Sequence, residues 1–388
     1  MARASRRGHE EALNVGGAGY HSPLTGEPLR ADTPHSLTDG ARRWPVIDAI
    51  PYLRAGSEGL ADEAVALLDR GRADEATAAL LAENDPWWDE APPPRDQLLA
   101  VVRERGDLTL RGAMARLGWG RVGDYFAHRW SDPTYLAGLT ILDRHWCAPD
   151  SAFEVACGIG HYLRALSRAG VRRVAGGDVV FGKLWVCRHW VCPEADLACF
   201  DAEAARWPVA PRADLVTCHD AFYFLRNKPD VARRIREGAG RLYAVPHVHN
   251  ADAETYSSGA AATAGTLAEL FPGAVIHDDA ELTRAGAEGD APREGVPRGA
   301  EAISLVGGPA LGSAAPSPLL RPADGVALVR NPLLTGDGVS WPSERYEAEY
   351  GPLATYGRSG PVPERAVMSE ALASLVRTRD LLDLPERW

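Results

Sequence analysis

Lysine is nearly missing from this chain: Lys183 and Lys228 are the only two among 42 basic residues. Alanine, glycine, proline and arginine are abundant instead, a bias expected of GC-rich codons, so the many arginines are not in themselves a functional signal. Positive charge is also in deficit, 42 basic against 53 acidic residues for a net −11, which opposes nonspecific attraction to nucleic acid or to an anionic membrane surface. The six cysteines, Cys147, Cys157, Cys187, Cys192, Cys199 and Cys218, contain no CxxC pair and read as reduced core thiols. No metal site is expected. The spacing of Cys187, His189 and Cys192 suits an amphipathic helix, and the pair His247 and His249 lacks an identifiable third ligand. No apolar run approaches ~18 residues, and the basic start (Arg3, Arg6, Arg7) leads into no apolar stretch of ~7–15 residues. A cytoplasmic protein without a membrane partner is the expectation, and no internal repeat is present.

What the chain does have is ordinary globular composition, 45% hydrophobic and 24% charged over 388 residues, enough for two domains with appendages. Residues 18–54 are short apolar pieces cut by Gly, Pro and Asp turns, which predicts a small β module. Apolar positions at Leu60, Ala64, Leu67 and Leu68, then Ala73, Ala76, Leu80 and Leu81, with Gly71 between them, predict an antiparallel helix pair. The stretch "NDPWWDEAPPPRD" reads as a linker into a helix carrying Leu98, Val101 and Val102. A helix then starts at Pro133 with Asp132 as its N-cap. From residue 151 strands and helices alternate, predicting a parallel sheet covered on both faces, closed by antiparallel strands at "GAVIHDD" and "EAISLVGG" with a Gly/Glu/Arg-rich loop near 284–300 between them. The end of the chain reads as an amphipathic helix with Met368, Ala371, Leu372 and Leu375 on one side.

The strongest chemical signal is "FEVACGIGHYLRAL": a strand ending in Glu154, a tight turn with Gly158 and Gly160, and a helix close behind. Small residues let a ligand approach the backbone, and a new helix offers free N–H groups. A dinucleotide fingerprint wants a third small residue where Leu163 stands and does not ask for Glu154, which argues against a nicotinamide oxidoreductase. The turn resembles motif I of class I S-adenosylmethionine-dependent methyltransferases, with Ala156 in place of the motif's first glycine. The resemblance continues over roughly 148–308. Asp178, followed by Val179, stands where that family holds both ribose hydroxyls, and Asp201, with Ala202 alongside, where it holds the adenine amino group. "ADLVTCHDAFYFL" matches the fourth-strand motif and puts Cys218 and His219 at its ligand-facing end.

This resemblance implies an α/β fold with a doubly wound, seven-stranded, mostly parallel, Rossmann-like sheet, binding S-adenosylmethionine through Glu154, Ala156, Gly158, Gly160, Asp178, Val179, Asp201, Ala202 and His219. It implies methyl transfer to an O, N or C nucleophile. Acidity and the lack of a basic cluster favour a small-molecule acceptor over nucleic acid. A general base at His247 or His219 is expected where the acceptor must lose a proton. Tyr125, Phe126, His128 and Trp130 are candidates for a lid. The segment "WPVIDAIPYL" resembles the tail of the zinc-ribbon-like Trm112 family, but Ser22 and Thr25 stand where the first cysteine pair would be, so the module is metal-free. Because that family serves as an activating subunit for methyltransferases, the module is expected to support its own catalytic domain or to join a protein partner or a second copy. The predicted division is 1–56 β module with a flexible lead, 57–147 helical segment, 148–310 cofactor-binding domain and 311–388 an extension of unassigned role. The alternative is a non-catalytic, cofactor-binding scaffold, for which the lost cysteines are the motive and against which the intact motifs argue.

Overall fold

A computed structural model describes residues 19–84, 88, 91–253, 259–312, 315–336, 338–358 and 360–388. The predicted N-terminal lead and part of the predicted linker at 84–96 lie outside the described residues. The first described element is a four-stranded antiparallel sheet of β1 (Arg30–Thr33), β2 (Ser36–Thr38), β3 (Arg43–Ile47) and β4 (Ile50–Pro51). Trp44, Ile50, Tyr52 and Leu53 are wholly buried, so its stability comes from apolar packing with its own chain. The helices α1 (Glu58–Asp69) and α2 (Ala73–Leu81) follow as a packed pair, with Gly71 between them in the left-handed conformation, φ 72°. Next come α3 (Arg95–Glu104), α4 (Leu110–Arg116), α5 (Gly120–His128) and α6 (Pro133–Arg144).

The main sheet holds β5 (Ser151–Val155), β6 (Arg173–Asp178), β7 (Asp196–Cys199), β8 (Ala213–Thr217), β9 (Ala239–His249), β10 (Val275–Asp278) and β11 (Ala302–Gly307) in the order β10-β11-β9-β8-β5-β6-β7. Pairing is parallel from β7 through β9, and β11 runs antiparallel to both of its neighbours. This is the doubly wound, seven-stranded arrangement the motifs imply. β5 and β11 are buried along their whole length instead of alternating, as a sheet covered on both faces requires. The crossovers carry α7 (His161–Arg168), α8 (Phe181–Val186), α9 (Lys228–Gly238), α10 (Ala264–Leu270) and α11 (Asp279–Glu288).

Three expectations need correction. Residues 284–288, predicted as loop, continue α11, because Leu282 and Ala285 bury against α6 and Gly289 ends the helix in the left-handed conformation. Asp132 occupies the N-cap position of α6 but makes no cap hydrogen bond; Tyr346 donates its hydroxyl to the carboxylate instead. The predicted C-terminal helix is only α13 (Ala373–Arg377): Met368 follows a strand, and Ala371 is exposed. That strand, β15 (Arg365–Val367), pairs with β12 (Ala327–Arg330), which also pairs with β16 (Leu381–Leu382). Between them lie the short ribbon β13 (Leu334–Thr335) and β14 (Gly338–Val339) and the helix α12 (Glu344–Tyr350).

Two junctions bind the ends of the chain to the sheet. The N-terminal module sits beside β7, where Leu53 N–H donates to Cys199 O at 2.7 Å and the Trp185 indole donates to Asp48 at 3.1 Å. The C-terminal segment returns across α5 and α7: Arg164 donates to Asp383, Arg379 to Trp130 O and the Trp388 indole to Ala127 O.

Candidate functional site

The carboxyl ends of β5 to β9 open on one cavity of about 450 Å³, where open α/β sheets place their ligands. Crossing the sheet from β7 to β9, its wall is Asp201 and Ala202, then Asp178 and Val179, then Glu154, Ala156 and Gly158, then His219 and Asp220, and last His247. Of the predicted cofactor-binding residues and general bases, Gly160 alone lies off the wall. It is the left-handed N-cap of α7, φ 84°, and a Cβ there would meet Cys187 Sγ at 2.4 Å, so it shapes the turn from behind.

Asp178 accepts the Gly158 N–H and the Val180 N–H, each at 2.9 Å, which locks the ends of β5 and β6 together. Cys157 N–H donates to Gly177 O and Gly160 N–H to Cys157 O. These three turn amides are therefore spent internally, and the free N–H groups expected of the new helix are those of its first turn, from His161 onward. Asp201 fixes its own loop by accepting the Glu203 N–H at 2.8 Å.

Glu154 and His219 form a buried pair, Oε1 to Nδ1 at 3.0 Å, and the imidazole stacks on Tyr162 with centroids 3.5 Å apart. Burial, reinforced by Asp178, pushes the Glu154 carboxyl well above the usual range, and burial, reinforced by Arg129, holds the His219 imidazole well below its own. Glu154 Oε2 and His219 Nε2 are buried without a protein partner. His219 thus belongs with Glu154 at the centre of the cavity.

His247 is differently built. Its Nδ1 lies 2.7 Å from Asp279 Oδ2, while Ser304 donates to Asp279 Oδ1 at 2.6 Å and accepts the His247 N–H at 3.0 Å. Nε2 faces Asp220 Oδ1 at 3.6 Å. Burial opposes the charged ring, yet Asp220 and Asp279 together outweigh it and lift the pKa to about 8. His249 does not line the cavity; it packs edge-on to Tyr223 at 4.2 Å, and burial pulls its pKa down to about 4.

Asp220 is the hub of the β8–β9 side. It accepts the hydroxyls of Tyr125 at 2.6 Å and Tyr223 at 3.0 Å and pairs with the buried Arg129 at 3.0 Å. Burial works against its charge, but Arg129 and His247 keep its pKa below the ordinary carboxylate value. Of the four predicted lid residues, Tyr125 and Phe126 line the cavity; Trp130 packs on His161, and His128 on Trp388 and Tyr346.

Sequence reasoning missed Asp220, Arg129, Tyr223, Asp279 and the walls supplied by remote elements. Asp220 directly follows His219, and Asp279 stands at the strand end in "HDDA", so both had a positional signal. Arg54, which donates to Val179 O at 3.3 Å, had none, because only the fold brings it to the cavity. Tyr346 and Tyr350 of α12 belong to the segment "RNPLLTGDGVSWPSERYEAEYGPLATYG", whose aromatics were expected either to wall the acceptor pocket or to cover the sheet, and both line the cavity. Among the described residues no group of three or more His, Cys, Asp or Glu could hold a metal, and no helix is long and apolar enough to cross a membrane.

Residues 153–240, from β5 to the start of β9, match the family model described as "Methyltransferase domain". No curated protein matches the chain. Among solved structures, a SAM-dependent methyltransferase of Thermotoga maritima is 13% identical with a TM-score of 0.36, the similarity covering 50% of this chain and 97% of that one. A TehB-like SAM-dependent methyltransferase of Corynebacterium glutamicum is 14% identical with a TM-score of 0.33, covering 44% and 85%. DesVI of Streptomyces venezuelae is 18% identical with a TM-score of 0.28, covering 34% and 58%.

Proposed function

We propose that the protein is an S-adenosylmethionine-dependent methyltransferase acting on a small acceptor. The observation that carries this reading is the row of carboxylates Glu154, Asp178 and Asp201 at three successive strand ends of one cavity, inside the segment that matches a methyltransferase domain. The residues fit the donor. The unpartnered, buried Glu154 Oε2 suits an ammonium group, and Asp178, with two backbone donors already bound, keeps lone pairs for a ribose diol. Asp201 and Ala202 would face the adenine. When bound, the donor supplies an electrophilic methyl on a cationic sulfur.

The chain's own residues supply position and a proton sink. In-line displacement from a cationic sulfur disperses charge, so holding the acceptor at the right distance contributes much of the acceleration. His247, oriented by Asp279, takes the acceptor's proton at Nε2. His219 is a less suitable base, because burial disfavours its charged form. Calorimetry with S-adenosylhomocysteine tests the reading: binding should occur and be lost or weakened at least tenfold in Asp178→Ala. No binding by the wild-type protein, or unchanged binding by the variant, removes it. The scaffold alternative is separated by labelled methyl transfer, which it lacks.

A further inference from the structure

The strand order divides the cavity. Donor residues occupy the ends of β5, β6 and β7, which leaves the ends of β8 and β9 for the acceptor. There the roof comes from α12, whose Tyr346 and Tyr350 line the same cavity as Tyr125, Tyr223 and His247. We infer that the C-terminal segment completes an acceptor chamber over His247, and that this chamber takes a small, uncharged aromatic hydroxy compound. The inference rests on the methyltransferase reading and deepens it.

Three features argue for that class. First, the phenol hydroxyls of Tyr125 and Tyr223 are drawn onto Asp220 and that of Tyr346 onto Asp132, so what these cavity-lining side chains contribute to an occupant is ring carbon and not a free hydroxyl. Planar, polarised ring faces favour another ring through offset or edge-on contacts. Second, the charges around the chamber pair with one another. Arg129 lies 3.0 Å from Asp220 and Arg345 lies 3.7 Å from Glu349, so neither a bare cation nor a bare anion meets an uncompensated partner. Third, His247 stands at the chamber's floor with Nδ1 held by Asp279, and Tyr223 meets its ring edge-on at 6.3 Å. The step balances: the acceptor O–H proton passes to His247 Nε2, the oxygen bonds to the donated methyl carbon, and the carbon–sulfur bond breaks with its electron pair staying on sulfur as a neutral thioether.

The test uses the full chain, labelled S-adenosylmethionine and three probes of similar size: catechol, cyclohexane-1,2-diol and benzylamine. Catechol should be methylated with kcat/KM at least tenfold above the other two. Tyr350→Leu should raise the catechol KM about tenfold while S-adenosylhomocysteine affinity stays unchanged, and Tyr350→Phe should retain the wild-type KM. If Tyr350→Leu fails to fold, Tyr223→Leu carries the same expectation. Equal use of the aliphatic diol or the amine, no transfer to catechol by protein that binds S-adenosylhomocysteine, or an unaltered KM in the leucine variant overturns the chamber. Absence of S-adenosylhomocysteine binding overturns the methyltransferase reading beneath it.

Discussion

His247 holds a left-handed backbone conformation, φ 56°, and so do two other non-glycine residues on the cavity wall, Asp220 at 50° and Ala156 at 55°. Such conformations cost about 1–3 kcal/mol each and persist where the surroundings over-determine them, which is common at functional sites. At Ala156 the cost is separable from chemistry. Ala156→Gly should relieve about 1–2 kcal/mol of strain and lose about 0.5–1 kcal/mol to the greater freedom of the unfolded chain, a net gain of up to about 1.5 kcal/mol visible as a higher Tm. At His247 the strain serves the imidazole's aim. Asp220, Asp279, Arg129, Glu301 and His249 all act on this ring electrostatically, and the balance raises its pKa to about 8. A base works only when deprotonated, so kcat/KM for a hydroxyl acceptor should climb as pH rises through about 8 and level above it. Asp279→Asn removes one of the charges that favour the protonated ring. It should move that midpoint to lower pH and cut kcat, and His247→Asn should cut kcat by roughly a hundredfold or more. A flat profile in the wild type would remove His247 from the role. The raised pKa also has a stability consequence. The stabilisation is complete below the unfolded value near 6.5 and fades as pH rises through about 8. Glu154 is shifted in the same upward direction but for another reason, since burial favours its neutral form. Burial keeps its carboxyl protonated to unusually high pH, and an arriving ammonium favours its ionised form. Binding of S-adenosylhomocysteine should therefore release a proton at any pH where the free carboxyl is still protonated, read as an enthalpy that varies with the buffer's heat of ionisation. Glu154→Gln should abolish that variation.

The strand ends differ in how openly the sequence displays them. Glu154, Asp178 and Asp201 each stand at or near the end of an apolar run, and the resemblance to methyltransferase motifs implied their joint register, whereas the helix pair around Gly71 and the two antiparallel strands were legible from periodicity. What makes β6 and β7 fit is less visible. Gly177 carries no side chain because Phe200 packs against its Cα, and a Cβ there would meet the Phe200 ring at 2.1 Å. Nothing in "VAGGDVV" states that constraint, because Phe200 approaches across the sheet. Gly177→Ala should cost about 1–3 kcal/mol through over-packing and, since Phe200 and Asp178 both line the cavity, should weaken S-adenosylhomocysteine binding as well. Denaturant midpoints and calorimetry together check it, and a neutral change in both would mean that Phe200 moves aside freely. The elements that were misread failed for one reason. Residues 284–288 and 368–377 are short stretches whose conformation is set by partners far away in sequence, α6 in the first case, and Gly325 and Val326 at Met368 and α11 at α13 in the second. Asp132 is the sharpest example. Its pattern announces an N-cap, yet burial raises its pKa to about 8 and its carboxyl answers Tyr346, more than two hundred positions on.

At the scale of the whole molecule, the positions 56 and 147 fall within the span of one continuous buried core, while the C-terminal segment adds two smaller clusters of its own, around Leu328 and Met368 and around Tyr346 and Tyr350. A single buried cluster runs from Tyr20 and Trp44 of the β module through the helices to Val306 of the sheet and on to Leu382. The cavity is built the same way: Arg54 enters from the module, Tyr125 from the helical segment, the carboxylates from the sheet and Tyr350 from the C-terminal segment. The module also covers the edge of β7, through Leu53 N–H on Cys199 O and the Tyr52–Cys199 bridge, and so protects a strand that would otherwise present unpaired backbone groups. A shared core and a shared cavity require shared unfolding. Calorimetric melting should therefore give one transition whose van't Hoff and calorimetric enthalpies agree, and S-adenosylhomocysteine, by binding only the folded state, should raise that transition as a unit. Asp48→Ala breaks the contacts of the module with the Trp185 indole at 3.1 Å and with His189 at 2.8 Å, without touching the cavity. It should lower the same single transition by several degrees. If the variant instead splits the melt in two, with the higher step alone responding to ligand, the module is an independent domain and Arg54 is no necessary part of the site.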